Sequence, residues 1–339
     1  MSAQADIAAA AAPAYDAAMD PTATLGVVIA AYNEATALPA MHARLARVLD
    51  GLDMRSQVLY VDDGSRDATW AVLLGLAQAD PRVRLLRLSR NFGKELALTA
   101  GLDHVDADAV VLLDADGQDP PELLPQFIAK WREGYDVVYG TRASREGETW
   151  LKRATAKAFY RVLNRVSDTG VPADTGDFRL VSRRVVDGLR GLRERQRFMK
   201  GLFAWVGYPS TSILYQRQPR IAGASKFNYW RLWNFALEGI TGFSTAPLRV
   251  ATSLGLGTAA LAFGYGAWIV VRTLAWGDRV QGWPTMMAVV LFLGGVQLMA
   301  LGVIGEYLGR LYVEAKQRPL YLVQEWRPGP DAAGAAGPD

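Results

Sequence analysis

Five short apolar runs punctuate the first part of the chain, at residues 25–31, 57–61, 83–88, 109–113 and 136–140. Runs of this length, bounded by polar or turn-forming residues, are the pattern of strands buried on both faces. Between them, residues 36–49, 67–79, 94–103 and 121–132 have the composition of helices. The alternation predicts an α/β domain with a mostly parallel sheet and helices on both faces. In such sheets ligands bind beyond the C-terminal strand ends. The polar clusters of this chain fall at those ends. Tyr32-Asn33-Glu34 follows the first run, Asp62-Asp63-Gly64-Ser65 the second and Asp114-Ala115-Asp116 the fourth. Three polar clusters at equivalent ends predict one shared crevice.

The pattern changes after residue 246. Residues 250–271 and 285–305 contain no Asp, Glu, Lys or Arg. At about 1.5 Å per residue, a helix of either length crosses a hydrocarbon core of about 30 Å. The alternative is a pair of helices buried in a soluble core, which at this length would carry some polar residues. The short connection predicts a hairpin with both ends on one side. Arg231, Arg249, Arg310, Lys316 and Arg318 flank those ends, whereas the connection carries Arg272 and Arg279, so the positive-inside rule places the large domain in the cytoplasm. Glycines 255, 257, 264, 266, 294 and 295 are candidates for close helix packing. Upstream, the aromatic and basic segment from Phe227 to Phe235 suits a helix at the headgroup level, or an ordinary amphipathic helix covering the domain. The expected organisation is a disordered leader at 1–24, a catalytic domain at 25–226, interfacial helices at 227–246, a transmembrane hairpin at 247–310 and a tail at 311–339, with disorder from Pro328 onward.

Composition narrows the chemistry. Of 339 residues none is cysteine, which excludes disulfides, thiolate catalysis and cysteine metal sites. The net charge of +3 hides strong local contrast: the segment from Arg179 to Lys200 is rich in arginine, and reads either as a basic floor facing anionic headgroups or as a solvated helix face. The first strand is not followed by G-x-G-x-x-G, and no G-x-x-x-x-G-K-[ST] occurs, so a bound nucleotide needs its phosphates neutralised by other means. A divalent cation is the natural means. Asp114 and Asp116, one residue apart beyond a buried strand, can both address one hard cation that bridges a diphosphate.

These motifs together resemble glycosyltransferase family 2, in the branch that glycosylates polyprenyl phosphates: dolichol-phosphate mannose synthases and bacterial bactoprenol glucosyltransferases. The resemblance runs from about Leu25 to Lys316. Besides the three clusters above, it rests on Arg90-Asn91-Phe92-Gly93-Lys94-Glu95, Gly140-Thr141-Arg142, Asp174-Thr175-Gly176-Asp177-Phe178-Arg179-Leu180 and the segment from Arg220 to Lys226. It implies a GT-A, Rossmann-like fold and a nucleotide-sugar pocket formed by Tyr32, Glu34, Asp62, Asp63, Asp114, Ala115, Asp116 and Arg142. It also implies Mg2+ or Mn2+ on Asp114 and Asp116 with Gln118 close by, Asp177 and Arg179 at the reacting centre, and Arg220, Ser225 and Lys226 on the acceptor phosphate. Relatives often carry Pro at the position of Ala30 and Glu at that of Ala224, so a contact made by that carboxylate is missing here.

The implied reaction transfers one sugar, with glucose from UDP-glucose as the first choice, to undecaprenyl phosphate with inversion. GDP-mannose, UDP-galactose, UDP-N-acetylglucosamine and an amino-arabinose donor remain alternatives. Asp177 either handles a proton of the acceptor phosphate or orients the sugar or Arg179. The implied location is the bacterial inner membrane, as a homo-oligomer in which a tetramer fits, with no nucleic-acid partner. Rival readings are a processive synthase, disfavoured because Gln196-Arg197-Phe198 does not make Q-x-x-R-W, a lipid-hydroxyl transferase, and a non-catalytic nucleotide-sugar-binding anchor.

Overall fold

A computed structural model describes residues 20, 22–142, 175–195, 197–216, 246–276 and 282–329. They divide into two units: one holds the described residues up to Gln216 together with those from Pro319 on, the other the segment from Ala246 to Arg318.

The first unit is built on an eight-stranded sheet, β1 (Thr24–Ala31), β2 (Arg55–Asp62), β3 (Val83–Leu88), β4 (Ala109–Asp114), β5 (Val137–Arg142), β6 (Thr175–Ser182), β7 (Ser210–Tyr215) and β8 (Val323–Arg327). Their order across the sheet is β7-β5-β6-β4-β1-β2-β3-β8. β1 pairs in parallel with β2 and β4, β2 with β3, and β5 with β7. β6 is antiparallel to both neighbours, and β8 is antiparallel to β3. The mostly parallel α/β expectation holds. The four central strands are the apolar runs of the sequence, and Val27, Ile29, Val111 and Leu113 are buried.

Helices α1 (Leu38–Asp50), α2 (Thr69–Ala79), α3 (Lys94–His104) and α4 (Leu124–Arg132) connect these strands, and α5 (Arg183–Gly191) and α6 (Met199–Trp205) follow β6. Leu38, Met41, Leu45 and Leu49 of α1 recur every three or four residues and are all buried, which seats that helix on the sheet. Gly101 of α3 is required by close approach: a Cβ there would stand 2.2 Å from Val28 Cγ1.

β6, β7 and β8 were not expected as strands. β6 carries Asp177 and Arg179 in its middle, so it lacks an apolar run. Its alternation resolves this: Phe178 stacks on Phe127 with ring centroids 4.6 Å apart, while Asp177 and Arg179 share the opposite face. β8 is a polar edge strand in what was expected to be a tail. It is held by Tyr321, whose hydroxyl donates to Asp103 at 2.7 Å, and by Trp326, whose ring lies 5.2 Å from that of His104.

The arginine run is not a free basic floor. Arg183 pairs with Asp106 at 2.5 Å, Arg184 with Asp136, Arg193 with Asp103 at 2.7 Å, and Arg190 donates to the carbonyl of Leu102 at 2.9 Å. These guanidinium groups pin α5 and the chain after it to α3 and to the loops before β4 and β5.

The second unit consists of two long helices, α7 (Ala246–Trp276) and α8 (Trp283–Ala315). Both extend beyond the charge-free stretches of the sequence. Within α8, Phe292–Ala315 is long and apolar enough to cross a membrane. Leu261, Phe263, Leu274, Leu298 and Leu308 are largely exposed, a display of apolar surface that suits lipid rather than water. Within the chain, a Cβ on Gly255, Gly257, Gly264, Gly266, Gly294 or Gly295 would meet no atom within 4 Å. The expected close packing at these glycines is therefore absent between α7 and α8. The expected leader and interfacial helices lie outside the described residues, apart from positions 20, 22–24 and 246.

Candidate active site

Three loops at the C-terminal ends of β1, β2 and β3 are tied to one another by side-chain-to-backbone bonds. Asn33, at a φ of 54°, donates its N–H to Ser65 Oγ at 3.0 Å, and its own Oδ1 accepts from Arg66 N at 2.9 Å. Glu34 N donates to Thr69 Oγ1 at 2.9 Å. Asp63 accepts from Phe92 N and Gly93 N at 2.7 and 2.9 Å. Gly64 permits this junction, since a Cβ there would lie 2.4 Å from the backbone of Arg90. Asp62 is fully buried, accepts from Ser65 N at 3.0 Å and stands 3.2 Å from Arg87 Nε. Asp62 and Asp63, expected in the nucleoside pocket, are thus buried and shape the loops that follow β2 and β3. Burial raises the pKa of Asp63 against the backbone bonds that oppose it. Tyr32 and the Glu34 side chain are partly exposed on the same rim.

Asp114 ends β4 and Ala115 is buried behind it. Asp116 Oδ1 accepts from Gln118 N at 3.1 Å, which fixes the turn through Gly117 at φ 70°. Asp119, which the sequence left without a role, anchors the other end of this loop: it accepts from Tyr215 Oη at 2.6 Å. No group of three or more His, Cys, Asp or Glu among the described residues is arranged to hold a metal ion. Two carboxylates nevertheless suit Mg2+ or Mn2+ here, because such ions commonly take one or two protein carboxylates and complete their shell with diphosphate oxygens and water. A cation already stands against one member of this pair, since Lys94 Nζ lies 2.6 Å from Asp114 Oδ1.

Lys94 also reaches Asp177, with Nζ 2.5 Å from Oδ2. The strand register brings Asp177 to the Asp114–Asp116 pair, because β6 lies beside β4. Burial alone would raise the Asp177 pKa, but Lys94, Lys200 and Arg179 outweigh it and hold the carboxylate ionised, below its usual range. Partial desolvation likewise opposes charge on Lys94, and Asp114 and Asp177 outweigh it and keep the ammonium protonated. Arg179 is 4% exposed, donates to Gly176 O at 2.9 Å and lies 4.0 Å over the Phe203 ring. It therefore adds positive charge beside Asp177 from a buried position.

Two further residues enter the cluster that the sequence did not single out for chemistry. Glu95 accepts from Met199 N at 3.2 Å, and burial followed by the charge of Asp177 pushes its pKa up to about 7. Lys200 faces Asp177, Arg179, Lys94 and Glu95, and burial lowers its pKa. Lys94 and Lys200 share a signal in the sequence: each sits in the first turn of a helix, where the macrodipole disfavours a cation. Arg142 ends β5 in register with Tyr215. Arg220, Ser225 and Lys226, expected at the acceptor phosphate, lie outside the described residues.

Residues 26–190 match the family described as glycosyl transferase family 2, and residues 246–311 match the one described as the GtrB C-terminal hairpin. The chain is 51% identical to an uncharacterized glycosyltransferase of Synechocystis over 90% of this chain and 96% of that one. This chain belongs to glycosyl transferase family 2. Within the family it is 46% identical to a bactoprenol glucosyl transferase of Shigella phage SfV, over 88% of this chain and 98% of that protein. A prophage bactoprenol glucosyl transferase homolog of Escherichia coli is 44% identical over 88% of this chain and 98% of its own. Among solved structures, glucosyl-3-phosphoglycerate synthase from Mycobacterium tuberculosis, in complex with Mn2+, UDP-glucose and phosphoglyceric acid, aligns with a TM-score of 0.45 at 19% identity, over 65% of this chain and 78% of that one. As a family 2 member the protein is a glycosyltransferase, and its sheet with the acidic motif at the end of β4 is a GT-A-like arrangement.

Proposed function

We propose that this enzyme transfers a single glucosyl residue from UDP-glucose to undecaprenyl phosphate at the cytoplasmic face of the bacterial inner membrane. The observation that carries the reading is the 46% identity to a bactoprenol glucosyl transferase along nearly the whole length of both chains. A polyprenyl phosphate also fits the second unit, whose exposed apolar helices suit a lipid environment.

The chemistry asks little proton transfer of the protein. A phosphate monoester is largely ionised near neutral pH, with a second pKa of about 6. The work is to bring two anions together and to manage the charge that leaves. Asp114 and Asp116 hold the divalent ion, with Gln118 beside them, and that ion supplies Lewis-acid stabilisation of the departing diphosphate. Tyr32 and Glu34 line the nucleoside wall, whose loops the buried Asp62 and Asp63 hold in shape, and Arg142 meets the donor phosphates. Arg220, Ser225 and Lys226 receive the acceptor phosphate. Its oxygen forms a bond to the anomeric carbon as the bond to the UDP oxygen breaks, with inversion. Asp177, kept ionised by its cations, orients the sugar at that carbon, and Arg179 positions Asp177. Isolation of a covalent glucosyl–enzyme adduct would overturn the one-step course.

Both α7 and α8 cross the bilayer in this reading. The catalytic unit then occupies one side, because the chain leaves it before α7 and rejoins it in β8. The enzyme acts as a homo-oligomer, for which a tetramer is the preferred count. The test is an assay of the purified enzyme with undecaprenyl phosphate and a panel of UDP-glucose, UDP-galactose, UDP-N-acetylglucosamine and GDP-mannose. Lipid-linked glucose forming fastest, and ceasing on EDTA treatment, is the expected result. Preference for another donor would refute the glucose assignment, and nucleotide binding without hydrolysis or transfer would make the protein a non-catalytic anchor.

A further inference from the structure

The contact between Lys94, Asp114 and Asp177 has no counterpart in the roles assigned above. One ammonium sits 2.6 Å from an oxygen of the metal motif and 2.5 Å from an oxygen of the residue at the reacting centre. The lysine is placed there by several independent constraints. Asp63 fixes the amides of Phe92 and Gly93, and Gly93 turns the chain at φ 101°. Lys94 then opens α3 against an unfavourable helix dipole. The same side chain is 42% exposed, so it has room to swing.

We propose that Lys94 is a built-in counter-ion of the metal motif, which shares Asp114 with the divalent ion by exchange. When the ion and donor diphosphate bind, the ammonium gives up Asp114 and keeps Asp177. The reason is steric and electrostatic. A Mg2+ or Mn2+ ion sits about 2.0–2.2 Å from a carboxylate oxygen, and an ammonium bonded to that same oxygen crowds and repels it. A lysine suits exchange because its charge is compact and its stem flexible, with three donors that reorient readily. Until the exchange, the ammonium holds two mutually repelling carboxylates at one site. It also makes the motif a weak site for a bare cation, so that the ion binds well only with the diphosphate that repays the displacement. Lys94 is a positioning residue in this account. The inference rests on the reading of Asp114 and Asp116 as metal ligands.

The experiment measures Mn2+ binding to the full-length protein in detergent by the loss of the free-ion electron paramagnetic resonance signal, with and without UDP. In the absence of UDP, Lys94→Met should bind Mn2+ about tenfold more tightly than wild type, a coupling of ordinary size between two ligands of one site. Lys94→Arg, which keeps the charge, should return the affinity towards wild type. With UDP present the difference between Lys94→Met and wild type should narrow. Lys94→Gln provides a second neutral variant, with thermal melting as the check that each protein is folded. If folded Lys94→Met or Lys94→Gln binds Mn2+ no more tightly than wild type while wild type binds it with UDP, the exchange is refuted and the metal reading stands. If no protein binds Mn2+ even with UDP, the metal reading itself fails and the exchange with it.

Discussion

The catalytic unit contains two charge clusters at opposite ends of one sheet, and they are built on different rules. Where α1 and α2 end and β2 and β3 begin, Arg82 forks onto Asp80 at 2.8 and 2.9 Å and reaches Asp50 at 2.8 Å. His42 stands between Tyr60, 2.9 Å away, and Asp80, 3.5 Å away. The guanidinium is planar and its partners are fixed on short connections, so each charge is spent on its neighbour. At the other end a flexible lysine is divided between two carboxylates, and Asp177 faces three cations. The first cluster is a fastener and the second is a set of charges that can be redistributed. A bound ionic substrate needs the second kind.

The sharpest way to separate them is by substitution. Asp114→Asn or Asp116→Asn should lower transfer by roughly 10²-fold or more, the scale of losing a main electrostatic stabiliser of the transition state. Both variants should keep the thermal midpoint within a few degrees of wild type. If either retained near-normal kcat, the end of β4 would not be the metal motif. Asp177→Asn should also cost about 10²-fold in kcat, with a smaller change in the KM for donor.

The fastener should respond in the opposite way. Asp80→Ala leaves Arg82 and His42 without their common partner, and a loss of about 2 kcal/mol in unfolding free energy is expected after allowance for partial exposure. Its kcat/KM at a temperature where it stays folded should match wild type. An altered kcat/KM would mean that the two ends communicate.

Glu95 allows the comparison to be tested by pH. Its folded pKa lies at about 7, above the ordinary value of 4.5. The folded protein therefore keeps a proton that the unfolded chain has released, and the stability from this group is full below 4.5 and lost as pH rises through about 7. Glu95→Gln should flatten that part of the stability profile, gaining on wild type between pH 5 and pH 8 in denaturant titrations. Parallel profiles for the two proteins would show that Glu95 does not titrate there. The smallest effect is expected at Tyr215→Phe, which removes the bond to Asp119 in the loop that follows Asp114 and Asp116. About 1 kcal/mol of stability should be lost, with a modest rise in the Mn2+ concentration that gives half-maximal transfer.

The sequence foretold the two ends unequally. The central strands were legible because parallel strands covered on both faces are continuous apolar runs, as in Val110-Val111-Leu112-Leu113. Their polar ends fall in loops that the structure ties together by hydrogen bonds. β6 was hidden because its useful face holds Asp177 and Arg179, and β8 because an edge strand needs few apolar residues. Lys94 lay within a motif that the sequence singled out, yet no role could be read for it. Its two carboxylates are 20 and 83 positions away in the chain, and meet it only through the sheet order. The arginines after β6 stayed open between two readings for the same reason, since their aspartate partners, Asp103, Asp106 and Asp136, are distant in the chain.

The position of β8 bears on how the protein is made. Translation delivers β1 to β7 first, then both long helices, and only afterwards the strand at 323–327 that pairs with β3. During that interval the outer edge of β3 has no intramolecular neighbour, and an open strand edge invites pairing with other chains. The nascent enzyme thus passes through a stage in which both long helices have been made while its sheet is unfinished. Closure of the sheet waits for the chain to come back.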